Sequence, residues 1–210
     1  SSAASDVYKR QDIAIETHDI PHIWPKKVEV EAKKYHDIII INDKEIKRRT
    51  DLRDLNLITI DGVDAKDFDD AVFCEKNHNG WRLIVAIADV DFYVESSSSL
   101  DKEACWRGTS VYFPDRVIPM LPKILSNGLC SLNPDLDRLA IICVMSINET
   151  GNVVSSNFGE AIIKSKARLT YSQVHDFFED NESLIIHDDI KEMLNNLFSM
   201  YKKMFIRCIY

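Results

Sequence analysis

The chain has 210 residues, of which 45% are hydrophobic and 29% charged, and its net charge is −8. That balance excludes a disordered chain and leaves ample material for a packed core. No apolar run nears the ~20 residues of a membrane-crossing helix, no signal peptide stands at the start, and the negative charge argues against a broad basic surface for nucleic acid.

Residues 1–11 have no hydrophobic period. Ser5-Asp6-Val7-Tyr8-Lys9-Arg10-Gln11 resembles translated adapter sequence, so residues 1–11 are read as a non-native leader. Residues 12–50 read as a lead-in. His22-Ile23-Trp24-Pro25 breaks any helix there, because the residue before proline avoids the helical region. A short polar helix is expected from Lys26 to Lys34. Lys44, Lys47, Arg48 and Arg49, with Glu45 among them, read either as a solvated linker or as phosphate contacts.

The compact domain is expected over residues 51–210. Leu57 to Ile60, Ala71 to Cys74 and Trp81 to Ala88 read as strands by their β-branched and apolar content. Asn77 to Gly80 reads as the turn of a hairpin. Ser96 to Ser99 supply a cap for a helix from Leu100 to Gly108. The next 25 or so residues, with Pro114, Pro119, Pro122 and Pro134, show no period, and such stretches are often functional. Leu139 to Ile147 and Val153 to Ser165 are expected strands joined at Thr150-Gly151-Asn152. Ser172 opens a helix to Glu179. Ile190, Met193, Leu194, Leu197, Tyr201, Met204 and Phe205 mark an amphipathic helix that runs to the chain end, which suggests truncation. The fold expected is α+β: a mixed, mostly antiparallel sheet with packed helices.

Five cysteines, Cys74, Cys105, Cys130, Cys143 and Cys208, form no C-x-x-C pair. An odd count without metal spacing favours reduced thiols in a cytoplasmic protein. The six histidines (His18, His22, His36, His78, His175, His187) show no paired metal spacing.

The sharpest feature is acidic. Between Ile60 and Val72 stand Asp61, Asp64, Asp67, Asp69 and Asp70, against one lysine. A strand leads in and a strand leads out, so the cluster is a structured connection. Carboxylates this close either raise one another's pKa or recruit a cation. Hard oxygen ligands suit Mg²⁺ or Mn²⁺, and such ions can activate water for phosphodiester hydrolysis. A solvated acidic turn is the competing reading. A calcium loop is disfavoured, since no register gives glycine sixth and glutamate twelfth.

These residues resemble a known family. Thr59-Ile60-Asp61-Gly62 through Asp67-Phe68-Asp69-Asp70-Ala71-Val72 is similar to the signature of the ribonuclease II/ribonuclease R (RNB) family. The likeness continues through Leu83 to Val90, Arg107 to Pro114, Val117 to Pro122, Leu125 to Pro134 and Ala167 to Tyr171. The wording from Ser126 to Pro134 favours the ribonuclease R branch. The lead-in around Ile20 to Pro25 is similar as well.

The resemblance implies an RNB-type catalytic domain, truncated, of a magnesium-dependent, processive 3′-to-5′ exoribonuclease, with Mn²⁺ as a substitute metal. It implies release of nucleoside 5′-monophosphates from the 3′ end of single-stranded RNA, by a cytoplasmic monomer with no membrane association. Asp61, Asp67, Asp69 and Asp70 match the family's four site aspartates, and Asp70 is the one expected to be least replaceable. Tyr112 and Tyr171 match tyrosines that contact the RNA; stacking suits an enzyme indifferent to base identity. Asn127 and Ser131 are candidates for positioning the site. Three departures stand out. Asp91-Phe92 replaces a small residue and histidine; the segment with the family's catalytic arginine is missing; so are flanking RNA-binding domains. Two rivals remain at this point. One is an aspartate-nucleophile phosphatase built on Asp89-Val90-Asp91, and the other is a non-catalytic RNA- or metal-binding remnant.

Overall fold

The computed structural model describes residues 2–35, 41–114, 116–179 and 186–209. The chain divides into two compact units, residues 1–37 with 90–128 and residues 38–89 with 129–210.

The second unit is built on a seven-stranded sheet. Its strands are β1 (Thr50–Asp51), β2 (Ile58–Asp61), β3 (Asp70–Asn77), β4 (Gly80–Ala88), β7 (Asp137–Asn148), β8 (Val153–Lys164) and β9 (Ala167–Thr170). They lie in the order β1-β8-β7-β4-β3-β2-β9. All pairs are antiparallel except β1 with β8 and β2 with β9. Helices α3 (Asp43–Arg48), α5 (Tyr171–Glu179) and α6 (Asp188–Ile209) complete the unit. The expected fold class is therefore borne out, and the expected hairpin is that of β3 and β4.

Local chemistry explains the connections. The β3–β4 hairpin closes between Asn77 and Gly80. Gly80 has φ +135°, and a side chain there would run into the backbone of β7 at Ile147. In the β7–β8 turn, Asn148 Oδ1 accepts from the amides of Thr150 and Asn152, and Gly151 takes φ 81°. Leu57, Ile58, Ile84, Leu139, Ile162 and Ile163 are fully buried in the resulting core. The apolar stripe of α6 buries Ile190, Met193, Leu194 and Met200, and Met200 Sδ lies 3.9 Å from Cys74 Sγ on β3.

Three elements of this unit were not expected from sequence. β1 is two residues long, β9 is four residues containing an arginine, and α3 lies in the basic stretch of the lead-in. Neither reading of that stretch describes Arg49. Its guanidinium is buried and paired with Glu45 at 2.8 Å and with Asp89 at 2.6 Å. Arg48 pairs with Glu45 at 2.7 Å and with Glu160. A single glutamate, Glu45, three residues before Arg48 and four before Arg49, together with Glu160 of β8 and Asp89 just after β4, turned a prospective phosphate contact into an internal ion-pair network.

The first unit holds α1 (Ser2–Thr17), α2 (Lys26–Ala32), α4 (Ser99–Arg107) and a ribbon of β5 (Val111–Tyr112) with β6 (Val117–Ile118). Ser98 caps α4 by accepting from the Asp101 amide at 3.1 Å, and Gly108 ends it at φ 73°. Glu31 of α2 accepts from the amides of Ser99 and Leu100 at the same helix start. The buried Arg107 stacks 3.5 Å from the Trp24 ring and donates to Glu103 and to the carbonyls of Ile23 and Pro119. The aperiodic stretch is thus partly ordered as the β5–β6 ribbon and a π-helical turn over Ile124–Leu129.

Candidate active site

The acidic cluster lies in the second unit at one end of three adjacent strands. Asp61 is the last residue of β2 and Asp70 the first of β3. The eight residues between them form a fixed loop. The Ala65 amide donates to the Gly62 carbonyl at 3.1 Å, closing a turn. Further along, Phe68 is buried between the less buried Asp67 and Asp69, which turns both carboxylates away from the core. The Phe68 amide donates to Ser131 Oγ at 3.0 Å, and its carbonyl accepts from Leu132 at 2.8 Å. Ser131, wholly buried, also donates to the Lys66 carbonyl at 3.5 Å. The Asp69 carbonyl accepts from Ala88 at 2.9 Å, at the end of β4. Asp64 stays exposed on the turn.

The carboxylates act on one another. Burial pushes the Asp61 carboxyl above its ordinary range, and the charges of Asp70 and Asp67 add to this, while Thr59 and the Arg168 charge oppose it. Asp69 is also raised, by desolvation first and then by the charges of Asp67, Asp70 and Asp61, although the residue as a whole is exposed. Such mutual repulsion is relieved by a cation.

Among the described residues, no three His, Cys, Asp or Glu side chains already converge as a ligand set. The donor chemistry still fits magnesium. All candidate donors are hard oxygens, and Mg²⁺ binds through one or two carboxylates while keeping several waters. Asp61 Oδ2 is buried without a hydrogen-bond partner among the described residues, an oxygen left available to a cation.

Tyr171 belongs to the same sheet end. Asp61 pairs with Thr170 across the parallel β2–β9 register, and Tyr171 follows as the first residue of α5, 66% exposed. Thr170 and Gln173 fix this start with a reciprocal cap. The Gln173 amide donates to Thr170 Oγ1 at 3.2 Å, and the Thr170 amide donates to Gln173 Oε1 at 2.8 Å. The helix therefore begins before the expected Ser172; the T-x-x-Q spacing was the legible signal. Tyr112 lies in the first unit, exposed on the β5–β6 ribbon opposite Val117. Asn127 also lies in the first unit, with Ser126 Oγ donating to its Oδ1 at 2.9 Å.

Two other candidates are accounted for. Asp89 is buried against Arg49, so it is committed to an internal ion pair rather than free as a nucleophile. Burial raises the thiols of Cys74 and Cys130 to about 12, which leaves them as packing residues.

Raised carboxyls predict an apo protein that is strained by its own site. A group whose folded pKa is raised favours the fold while protonated, and that contribution is lost as pH rises through the carboxylate range. Asp69→Asn is expected to raise the melting temperature of the metal-free chain at neutral pH and low salt, by a few tenths to about 1 kcal/mol of stability. A wild-type chain that melts higher than the variant at neutral pH without metal would contradict this.

The chain matches the RNB domain family over residues 49–207. It is 51% identical over 192 residues to Ribonuclease R of Vibrio cholerae, covering 90% of this chain and 23% of that protein. Among solved structures it is similar to Mycoplasma genitalium RNase R in complex with double-stranded RNA, at TM-score 0.90 and 31% identity over 96% of this chain and 36% of that one. The same protein in complex with ribose-methylated single-stranded RNA matches at TM-score 0.89 and 31% identity, over 96% of this chain and 31% of that one. The chain spans about a quarter of the length of the curated relative.

Proposed function

From the premise that the chain belongs to the RNB-domain family, we propose that it is part of a magnesium-dependent, processive 3′-to-5′ exoribonuclease that releases nucleoside 5′-monophosphates. The observation that carries this reading is the loop from Asp61 to Asp70, where a buried Asp61 oxygen has no hydrogen-bond partner among the described residues and where burial first, then the neighbouring aspartate charges, raise Asp61 and Asp69. Asp61, Asp67, Asp69 and Asp70 are assigned as the residues that hold the metal. Magnesium, or manganese in its place, supplies a polarised water and neutralises charge on the scissile phosphate when bound. Tyr171, exposed beside Asp61, presents a ring to a base or sugar of the strand, and Tyr112 is assigned a second RNA contact. Ring stacking needs no particular base. Phe68 and Ser131 keep the loop fixed, so the carboxylates are oriented before substrate arrives.

We assign as substrate the 3′ end of single-stranded RNA; the Mycoplasma genitalium RNase R structures, one with double-stranded RNA and one with ribose-methylated single-stranded RNA, support RNA as the substrate. Residues 51–210 are assigned to the catalytic domain, 12–50 to its lead-in and 1–11 to a non-native leader. The enzyme is assigned to the cytoplasm, as a monomer without membrane association. The free thiols of Cys74, Cys105, Cys130 and Cys143 fit a reducing compartment. No described helix is long and apolar enough to cross a membrane.

A chimera tests the reading: residues 49–207 of this chain replace the matched segment of the Vibrio cholerae relative. With 5′-labelled single-stranded RNA and Mg²⁺, the folded chimera is expected to shorten the strand from its 3′ end and release 5′-monophosphates, and chelator is expected to stop it. A folded chimera that binds Mn²⁺ yet leaves RNA uncut would establish the non-catalytic alternative.

A further inference from the structure

Arg168 stands on β9, directly across from Thr59 of β2. Its guanidinium reaches over the acidic loop. Nη2 donates to the Val63 carbonyl at 2.7 Å, to that of Gly62 at 3.1 Å and to that of Ala65 at 3.4 Å. The guanidinium carbon lies 5.1 Å from the centre of the Phe68 ring. One side chain therefore touches the loop just after Asp61 and again between Asp67 and Asp69. The turn itself has three carbonyls gathered on one side, an arrangement that repels itself unless a donor is placed among them. The Arg168 Nη2 group meets that need, its two N–H bonds serving three carbonyls so that the 3.4 Å contact to Ala65 shares a proton with a shorter one.

We propose that Arg168 is a positioning residue for the metal site: by gathering the carbonyls of Gly62, Val63 and Ala65 and packing on Phe68, it holds the loop so that Asp61, Asp67 and Asp69 face a shared divalent cation. The inference rests on the metal-site reading given above. Two effects of Arg168 oppose each other. Its positive charge repels a cation, but that repulsion crosses solvent-accessible surroundings and is screened by salt. Its hydrogen bonds to three loop residues and its packing on Phe68 order the loop, and without them the cation would have to order those residues on binding, at an entropic cost for each. Ordering is the larger effect, so losing Arg168 weakens the site.

The test is a Mn²⁺ titration of the 210-residue chain, followed by electron paramagnetic resonance of the free ion. Arg168→Ala is expected to weaken Mn²⁺ binding about 10- to 100-fold, the range for residues that support metal ligands. Arg168→Gln keeps amide N–H donors without the charge and is expected to recover part of the loss. In the chimera, Arg168→Ala is expected to raise the Mg²⁺ concentration that gives half-maximal RNA trimming by about 10- to 100-fold, a shift that a smaller fraction of folded enzyme would not produce. Mn²⁺ binding that is unchanged or tighter in both variants overturns the proposal, since it would leave Arg168 acting by charge alone. If Arg168→Ala fails to fold, the Gln variant decides by the same criterion. A wild-type chain that takes up no Mn²⁺ overturns the metal-site reading itself, which separates that failure from a failure confined to Arg168.

Discussion

Asp70→Asn in the chimera is expected to remove RNA trimming almost entirely while leaving the protein folded. Asp70 opens β3 and pairs with Ile87 of β4, so its backbone is fixed by the sheet whatever its side chain. Asparagine keeps the size and one oxygen but loses the charge, and with it the hard anionic ligand that Mg²⁺ prefers. Residues that merely support metal ligands carry about 10- to 100-fold effects, and a direct ligand is expected to exceed that. Circular dichroism of the variant should match the parent, and its melting temperature without metal should equal or exceed the parent's. Trimming that persists within tenfold in Asp70→Asn would remove Asp70 from the site.

Arg49→Ala is expected to be the most destabilising single substitution tied to this site. The Arg49 side chain is 1% exposed and that of Asp89 4%, and they meet at 2.6 Å. Glu45 at 2.8 Å and Glu160 at 3.5 Å complete the set around one guanidinium. Replacing such a pair with apolar residues can be neutral, but removing one partner leaves a buried charge uncompensated, at a cost of about 3–5 kcal/mol. For a chain of this size that corresponds to a fall of roughly 6–20 °C in melting temperature. Arg49→Lys should recover little, because an ammonium cannot span Glu45 and Asp89 as a planar fork does. The loss should reach the site as well, since Asp89 directly follows Ala88, whose amide holds the Asp69 carbonyl. A melting temperature within 2 °C or so of wild type would mean that the network contributes far less than its burial implies.

The parts of this molecule that sequence made legible are those with strong local signals. The apolar run from Trp81 to Ala88, the Asn77 to Gly80 turn, the serine cap before α4 and the stripe of α6 each carry periodicity or turn chemistry that physics reads directly. The aspartate spacing was legible as a possible cation site, and the strand on either side was legible as its frame. What sequence could not supply depends on partners distant in the chain. β9 is a strand only because β2 offers it a parallel edge; four residues with an arginine have no period of their own. Arg49 looked solvated because Asp89 and Glu160 lie 40 and more residues away, and only the sheet brings them together. Arg168 follows the same logic: nothing in its neighbourhood announces that it bonds the turn from Gly62 to Ala65, and Ser131, though named as a candidate for positioning, gives no sign in sequence that Phe68 is its partner. Tyr112 and Tyr171 look alike in sequence, yet only Tyr171 shares a unit with the aspartates.

The loop from Asp61 to Asp70 is proposed to hold a divalent cation. Isothermal titration of Mg²⁺ into the 210-residue chain, beside Asp70→Asn, tests it most directly. Saturable binding to the wild type at neutral pH, lost or weakened at least tenfold in the variant, is the result predicted. Equal binding by both chains, or none by a folded wild type, would contradict it.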